Sequence, residues 1–304
     1  MTRIVKTILI TATLAACLAN RAGAADSFDI AITVDDLPSH GKLPPGMTRS
    51  SIAGAHLQAF KAHGVAEAFG FVNAAKLKDD PDNENVLGAW RAAGHPLGNH
   101  TFSHMNLERA ASLEAWQADV VAGEPAVAAR MAAADWHYLR FSNLAAGSAA
   151  RGADALAYLR GRGYKVAEVS VAFGDWNYTD AYARCVAKGD TDAIAAMKAQ
   201  YPRSVDVGIV QMKEHSRQVY GRVIPQVLLT HIGGWSAVTL PDVLARLDAA
   251  GARYVTQAQA QADPAYAQPG SGSVITRTAK QKGIRLSAAG PEAQPALELK
   301  SLCQ

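Results

Sequence analysis

The sequence predicts an α/β fold, a distorted (β/α) barrel of about seven or eight units. Three observations predict it. Short apolar, β-rich runs alternate with stretches of helical spacing between residues 28 and 256, and such alternation sets parallel strands beside covering helices. Polar residues gather just past the ends of those runs, where a barrel assembles its site. Several helical stretches stop at a glycine: Gly64, Gly94, Gly161 and Gly251, a common helix ending.

The elements follow in order. Residues 28–34 form an apolar run that ends in acids, the first strand. Residues 51–63 carry helical spacing, and 67–72 read as the second strand. A helix over 84–93 leads to a short approach, 96–99, before a histidine pair. Residues 112–134 are a long Ala-rich helical stretch with Ser112 as N-cap; Pro125 predicts a break there or a second helix. Strand-like residues 136–141, a helix over 153–160 and a β-rich segment over 165–173 come next. A buried strand over 223–230, a helix over 240–250 and a last strand over 252–256 complete the alternation. Residues 179–221 are long for one connection, and are expected to carry extra helices and to line a substrate groove. From residue 263 Pro, Gly and Ser increase and periodicity fades, which reads as an appended C-terminal tail, 263–304. No internal repeat is seen.

Residues 1–24 stand apart. Arg3 and Lys6 precede an apolar stretch over residues 8–18, and Ala22-Gly23-Ala24 offers a small-x-small cleavage site. This is the pattern of a signal peptide, and the apolar run is short of the roughly 20 residues that span a bilayer. Leu14-Ala15-Ala16-Cys17 also resembles a lipoprotein cleavage site, so a lipid anchor at Cys17 is the alternative. Both place the protein outside the cytoplasm, periplasmic or secreted.

The remaining chain, 25–262 before the tail, is long enough for one large domain with a sizeable core. The net charge of +3 falls when Arg3, Lys6 and Arg21 leave with the signal. A near-neutral mature chain gives no reason to expect nucleic acid as a partner. Cys185 and Cys303 remain. In an oxidising compartment they could pair and tie the tail to the domain; two free or buried thiols are the alternative.

The chemistry sits at the strand ends. The first strand finishes in Thr33-Val34-Asp35-Asp36-Leu37-Pro38. Adjacent carboxylates at a barrel mouth are costly unless a cation or proton compensates. The second feature is His100-Thr101-Phe102-Ser103-His104, entered through Gly98-Asn99. Two histidines four apart face one centre if the segment is helical or tightly turned. Two His and one carboxylate leave open positions for water and substrate on a zinc-like ion.

These two segments resemble the first two motifs of the polysaccharide deacetylase family, carbohydrate esterase family 4, whose fold is the NodB homology domain. The family shows Thr-Phe-Asp-Asp-Gly-Pro, where this chain has Val34 for Phe and Leu37 for Gly. Its His-Ser/Thr-x-x-His motif matches closely. The resemblance implies Asp36, His100 and His104 as metal ligands and Asp35 as catalytic base. The family's Arg-x-Pro-Tyr is answered by Arg140-Phe141-Ser142-Asn143, with Arg present and Pro and Tyr absent. Arg140 would keep Asp35 ionised and oriented, and Asn143 would offer a backbone N–H to the oxyanion. Gly174-Asp175-Trp176 resembles the fourth motif: Asp175 would orient the acid histidine, and Trp176 would wall the pocket for the acetyl methyl. Leu228-Leu229-Thr230-His231 matches Leu-x-x-His and implies His231 as general acid. The motifs span residues 33–231 in the family's order. His40, His56, His63, His95, His137 and His215 fit no family role and read as solvated or structural.

The implied activity is metal-dependent removal of acetyl groups, as amide or ester, from a glycan. The implied cofactor is a divalent metal, zinc first, with cobalt or another divalent ion also admissible. Two other readings stay open at this level: a cyclic-amide hydrolase of the same superfamily, and a non-catalytic glycan-binding protein on a degenerate scaffold.

Overall fold

The computed structural model describes residues 27–132, 134–287 and 297–304. The expected signal peptide, 1–24, and Cys17 lie outside the described residues. In chain order the first half comprises β1 (Phe28–Leu37), α1 (Arg49–Ala62), β2 (Ala68–Val72), α2 (Asp82–Ala92), β3 (Leu97–Asn99), α3 (Leu113–Met131), β4 (Tyr138–Leu139), α4 (Ala149–Gly161) and β5 (Lys165–Val166). The second half comprises β6 (Val171–Ala172), α5 (Trp176–Lys188), α6 (Thr191–Tyr220), β7 (Gln226–His231), α7 (Gly234–Ala249), β8 (Ala252–Tyr254), α8 (Gln257–Gln261) and α9 (Val274–Gln281).

The central strand is β1. Nine of its ten residues are buried, as expected of a parallel strand covered on both faces. It pairs with β2 through Ile32–Leu37 and with β7 through Ile30–Asp35, while β8 joins its first residues, Phe28–Ile30. The order is β5-β4-β3-β2-β1-β7-β6, parallel throughout. This is the expected distorted (β/α) barrel, open on one side.

The opening lies between β5 and β6, for which no strand pairing is found among the described residues. Side chains and the C-terminal segment cover it. The Gln261 amide donates to the Val166 carbonyl and accepts from Glu168 N–H, at 2.9 and 3.0 Å. Gly270 N–H donates to the Glu168 carboxylate at 3.0 Å, Val274 N–H to the Val169 carbonyl at 2.8 Å, and Arg277 pairs with Glu168. Residues 263–281 are therefore part of the barrel wall rather than a loose appendage. Val274, Ile275 and Ala279 of α9 share a buried cluster with Ala31, Ile224 and Val227.

Two helical expectations change. Pro125 lies inside α3 without ending it. Pro125 and Val121, whose carbonyl the ring deprives of a donor, both lie on the exposed side of the helix, where solvent can take the place of the lost donor. The extra helices over 179–221 are present as the body of α5 and all of α6, but none of their residues in that range lines the cleft described below. Instead α6 buries Met197, Tyr201, Val205, Ile209 and Met212, and Tyr201 and Tyr178 pack on Trp235 of α7. The pull of this apolar face onto the barrel exceeds any tendency to border a groove.

Cys185 of α5 and Cys303 form a disulfide across a separation of 118 residues. This settles the alternatives left open by the sequence. Arg184 donates to the carbonyls of Leu299 and Leu302 at 2.7 and 3.1 Å, and Leu297, Leu299 and Leu302 pack on the main core. Among the described residues no helix is long and apolar enough to cross a membrane.

Candidate active site

A cleft of about 440 Å³ opens at the C-terminal end of the strands. Asp35 and Asp36 both line it, although neighbours on a regular strand face opposite ways. The strand breaks its regularity here. Asp36 has φ +67°, and the β1–β2 register shifts between Val34 and Leu37. A non-glycine residue in that region is uncommon and strained, and the step brings two successive carboxylates to one mouth.

His100 follows β3 directly, and the segment to His104 is tightly turned rather than helical. Thr101 and His104 have φ of +64° and +60°. Asn99 Oδ1 accepts from Thr101 N–H at 2.8 Å, and Asn73 Nδ2 donates to the His100 carbonyl at 2.7 Å. Gly123 lets α3 press on this turn, since a Cβ there would sit 2.7 Å from Asn99 Oδ1.

The donor set faces one point. His100 Nε2 and His104 Nε2 lie 3.7 and 3.5 Å from Asp36 Oδ1, and the three ligand atoms lie within 4.8 Å of one another. Zinc–nitrogen and zinc–oxygen bonds of about 2.0–2.2 Å in a tetrahedron put ligand atoms roughly 3.3–3.6 Å apart, so the set fits a zinc-like ion with little adjustment. Asp36 Oδ1 is buried with no hydrogen-bond partner and has the Lys76 ammonium 3.7 Å away, so one of its lone pairs is free for an ion. His100 Nδ1 donates to the Arg140 carbonyl at 2.8 Å, which fixes the tautomer and leaves Nε2 as the ligand atom.

The electrostatics agree. Burial lowers His100 to about 4, and burial with the neighbouring His100 lowers His104 to about 4, so both rings are neutral and able to ligate at pH 7. Burial alone would raise Asp36, but the His40 hydrogen bond and the Lys76, His100 and His104 charges hold it well below the usual range.

On one side stands Asp35. Arg140 Nη1 lies 3.3 Å from its Oδ1. The Arg140 side chain is fully buried and held by bonds to the Ala167 carbonyl at 2.7 Å and Thr33 Oγ1 at 3.1 Å. Burial raises the Asp35 pKa, and the Arg140 and His231 charges partly offset this. The carboxylate is therefore more basic than a solvated one. Asn143 lines the cleft with φ +57°, and its side-chain oxygen accepts from Asn106 at 3.0 Å.

On the other side stands His231, at the end of β7. Its Nδ1 donates to Asp175 Oδ1 at 3.2 Å. Asp175 Oδ2 accepts from His231 N–H, Thr230 Oγ1 and Ser236 Oγ at 2.7, 2.8 and 2.8 Å. Burial opposes a charged ring, but the Asp175 carboxylate prevails and raises His231 to about 9. Trp176 borders the cleft with 51% of its surface exposed.

All nine residues singled out in the sequence thus fall in or directly behind this cleft. His40, read from the sequence as solvated or structural, stands at the cluster itself. Its Nδ1 lies 2.6 Å from Asp36 Oδ2, and its ring packs 4.7 Å from that of His231. Its place four residues after Asp36, beyond Pro38, was the available signal. Lys76 was also missed. Its Nζ lies 3.7 Å from Asp36 Oδ1 and donates to the Ser39 carbonyl at 2.8 Å; only tertiary folding brings it there.

Residues 22–166 match the polysaccharide deacetylase family model. The match carries the first three motifs and ends before Asp175 and His231. The search of curated protein sequences found no match. Among solved structures, the chain resembles the chitin deacetylase of Colletotrichum lindemuthianum, 18% identical, TM-score 0.53, over 77% of this chain and 88% of that one. It also resembles a mutant of the Bacillus subtilis peptidoglycan deacetylase, 16% identical, TM-score 0.50, over 85% and 95%. A third likeness is to a family pseudoenzyme from Bacillus anthracis, 12% identical, TM-score 0.50, over 78% and 66%. At these identities the likenesses concern the fold.

Proposed function

We propose that this chain, which belongs to the polysaccharide deacetylase family, hydrolyses acetyl groups from a glycan in a metal-dependent reaction at the Asp36–His100–His104 cleft. The observation that carries the reading is one cleft flanked by a buried Asp35–Arg140 pair and an Asp175–His231 pair. These two pairs push a carboxylate and an imidazole toward opposite protonation states at neutral pH, as an acid–base pair requires.

Asp36, His100 and His104 would hold the ion, zinc first among divalent candidates. When bound it supplies Lewis-acid polarisation of the acetyl carbonyl and of water. Asp35, ionised and oriented by Arg140, takes the proton of the attacking water. The backbone N–H of Asn143, a residue that lines the cleft, would donate to the developing oxyanion. His231, protonated at neutral pH, donates to the leaving nitrogen or oxygen, and Asp175 holds its ring. Trp176 offers an apolar wall to the acetyl methyl.

The names of the similar structures point to chitin-like or peptidoglycan-like N-acetyl substrates; O-acetyl esters use the same groups. The Cys185–Cys303 disulfide and the signal-like pattern at residues 8–24 support export to the periplasm or medium. The non-catalytic reading rests on the missing Pro and Tyr after Arg140 and on the pseudoenzyme likeness. The intact base, ligand and acid positions favour the enzyme. Acetate release would be measured from N-acetyl and O-acetyl glycans with protein as isolated, chelated, and resupplied with zinc or cobalt. Release that follows the metal supports the proposal. A metal-loaded protein that binds glycan but releases no acetate from the panel would favour the binding reading.

A further inference from the structure

We infer that His40 is a positioning residue for the metal: it holds Asp36 so that a single carboxylate oxygen faces the ion. The inference rests on the metal reading of the Asp36–His100–His104 cluster. Asp36 presents two different oxygens. Oδ1 faces both histidine Nε2 atoms and has no hydrogen-bond partner, whereas Oδ2 is taken by His40 Nδ1 at 2.6 Å. A carboxylate oxygen only accepts, so the shared proton belongs to Nδ1. The bond turns the carboxylate into a one-oxygen ligand and stops it rotating to chelate the ion with both oxygens.

The loop that carries His40 is built to be fixed. His40 N–H donates to the Ile232 carbonyl at 2.9 Å, and Ser39 N–H to the Asp36 carbonyl at 2.9 Å. Lys42 N–H donates to Asp180 Oδ1 at 2.8 Å, and Lys76 ties down the Ser39 carbonyl. Gly41, at φ +62°, has no room for a side chain, since a Cβ would meet Thr179 at 2.6 Å. The peptide after His231 thus anchors the residue that orients Asp36. The acid side and the ligand side share one clamp.

The test is zinc affinity of the mature, metal-free protein, by competition with a chromophoric chelator. Wild type is compared with His40→Ala and with His40→Asn, whose amide can place an N–H near the Nδ1 position. Outer hydrogen bonds to metal ligands typically contribute 10–100-fold in affinity. His40→Ala is expected to bind zinc 10–100-fold more weakly, and His40→Asn to recover most of the loss, with unchanged melting temperature in both metal-free variants. The cobalt-substituted alanine variant is expected to show weaker visible absorption, as the second Asp36 oxygen joins the ion and coordination rises. Unaltered affinity in His40→Ala would overturn the inference. An equal loss in alanine and asparagine variants would also overturn it, because it would make the ring itself the ligand. Wild-type protein that binds no zinc would instead remove the metal reading beneath it.

Discussion

Asp175 Oδ1 accepts from His231 Nδ1 at 3.2 Å, and the same carboxylate gathers three further donors from β7 and α7. Four donors on one buried carboxylate keep it ionised and fix the ring. The ring in turn is raised to about 9 by that charge. His231 is therefore protonated at pH 7 and loses its proton as pH rises through about 9. If it is the acid, turnover falls on that alkaline side. Asp175→Asn removes the raising charge and leaves burial, which lowers the ring. The alkaline limb of kcat/KM should then move to lower pH, with activity at pH 8 falling at least about ten-fold. An unmoved limb would detach His231 from the profile.

If Asp35 is the base, it sets the acid side of the profile. Its pKa is raised by burial against the pull of Arg140, so the base form is lost as pH falls through a value above the ordinary carboxylate range. Asp35→Asn should reduce turnover by about 10²–10⁴-fold while zinc affinity stays within a few fold, because Asp36, not Asp35, groups with both His100 and His104 within 4.8 Å, although Asp35 Oδ2 also lies 3.6 Å from His100 Nε2. Parallel turnover and chelator-competition measurements would show whether the two properties separate.

Metal binding should resist mild acid. His100 and His104 are lowered to about 4, and Asp36 lies well below the ordinary range. Protons therefore compete with the ion only as pH approaches about 4, not near the 6.5 of a solvated histidine. Zinc affinity measured from pH 5 to 8 should show no steep loss at the acid end. A steep loss between pH 7 and 6 would mean solvated ligands.

The Cys185–Cys303 bond closes a loop of more than a hundred residues that includes β7, α7 and α9. Cross-links of this kind restrict the unfolded chain and typically contribute about 2–5 kcal/mol. Cys303→Ser, or reduction of the wild type, should lower the unfolding free energy in urea by about that amount. Acetate release below the transition should change little, because Cys303 lies outside the cleft.

Much of the fold was legible because it is written in periodicity. The apolar run of β1 and its burial coincide, and the β–α alternation produced the parallel order. The candidate site was legible because its residues follow strand ends in sequence: Asp35 and Asp36 after Val34, His100 after Asn99, His231 after Thr230. What escaped is non-local or carried by side chains. The Gln261 amide completes the opening between β5 and β6 in a way no period announces. Residues 268–274 cover the same gap by backbone bonds from Gly- and Ser-rich turns, which read as tail. His40 escaped because its role depends on a turn, and Lys76 because only packing brings it to Asp36. Pro125 misled because the cost of a proline depends on whether the freed carbonyl meets water.

The central claim is that the Asp36, His100 and His104 cluster makes a metal-dependent deacetylase. Acetate release from an N-acetylglucosamine oligomer or O-acetylated xylan would be followed for wild type and His104→Ala, each after chelation and after stoichiometric zinc. The account predicts release by zinc-loaded wild type, loss on chelation, recovery on restoring zinc, and no zinc-stimulated release by His104→Ala. Equal release by chelated wild type, or by the alanine variant, would contradict it.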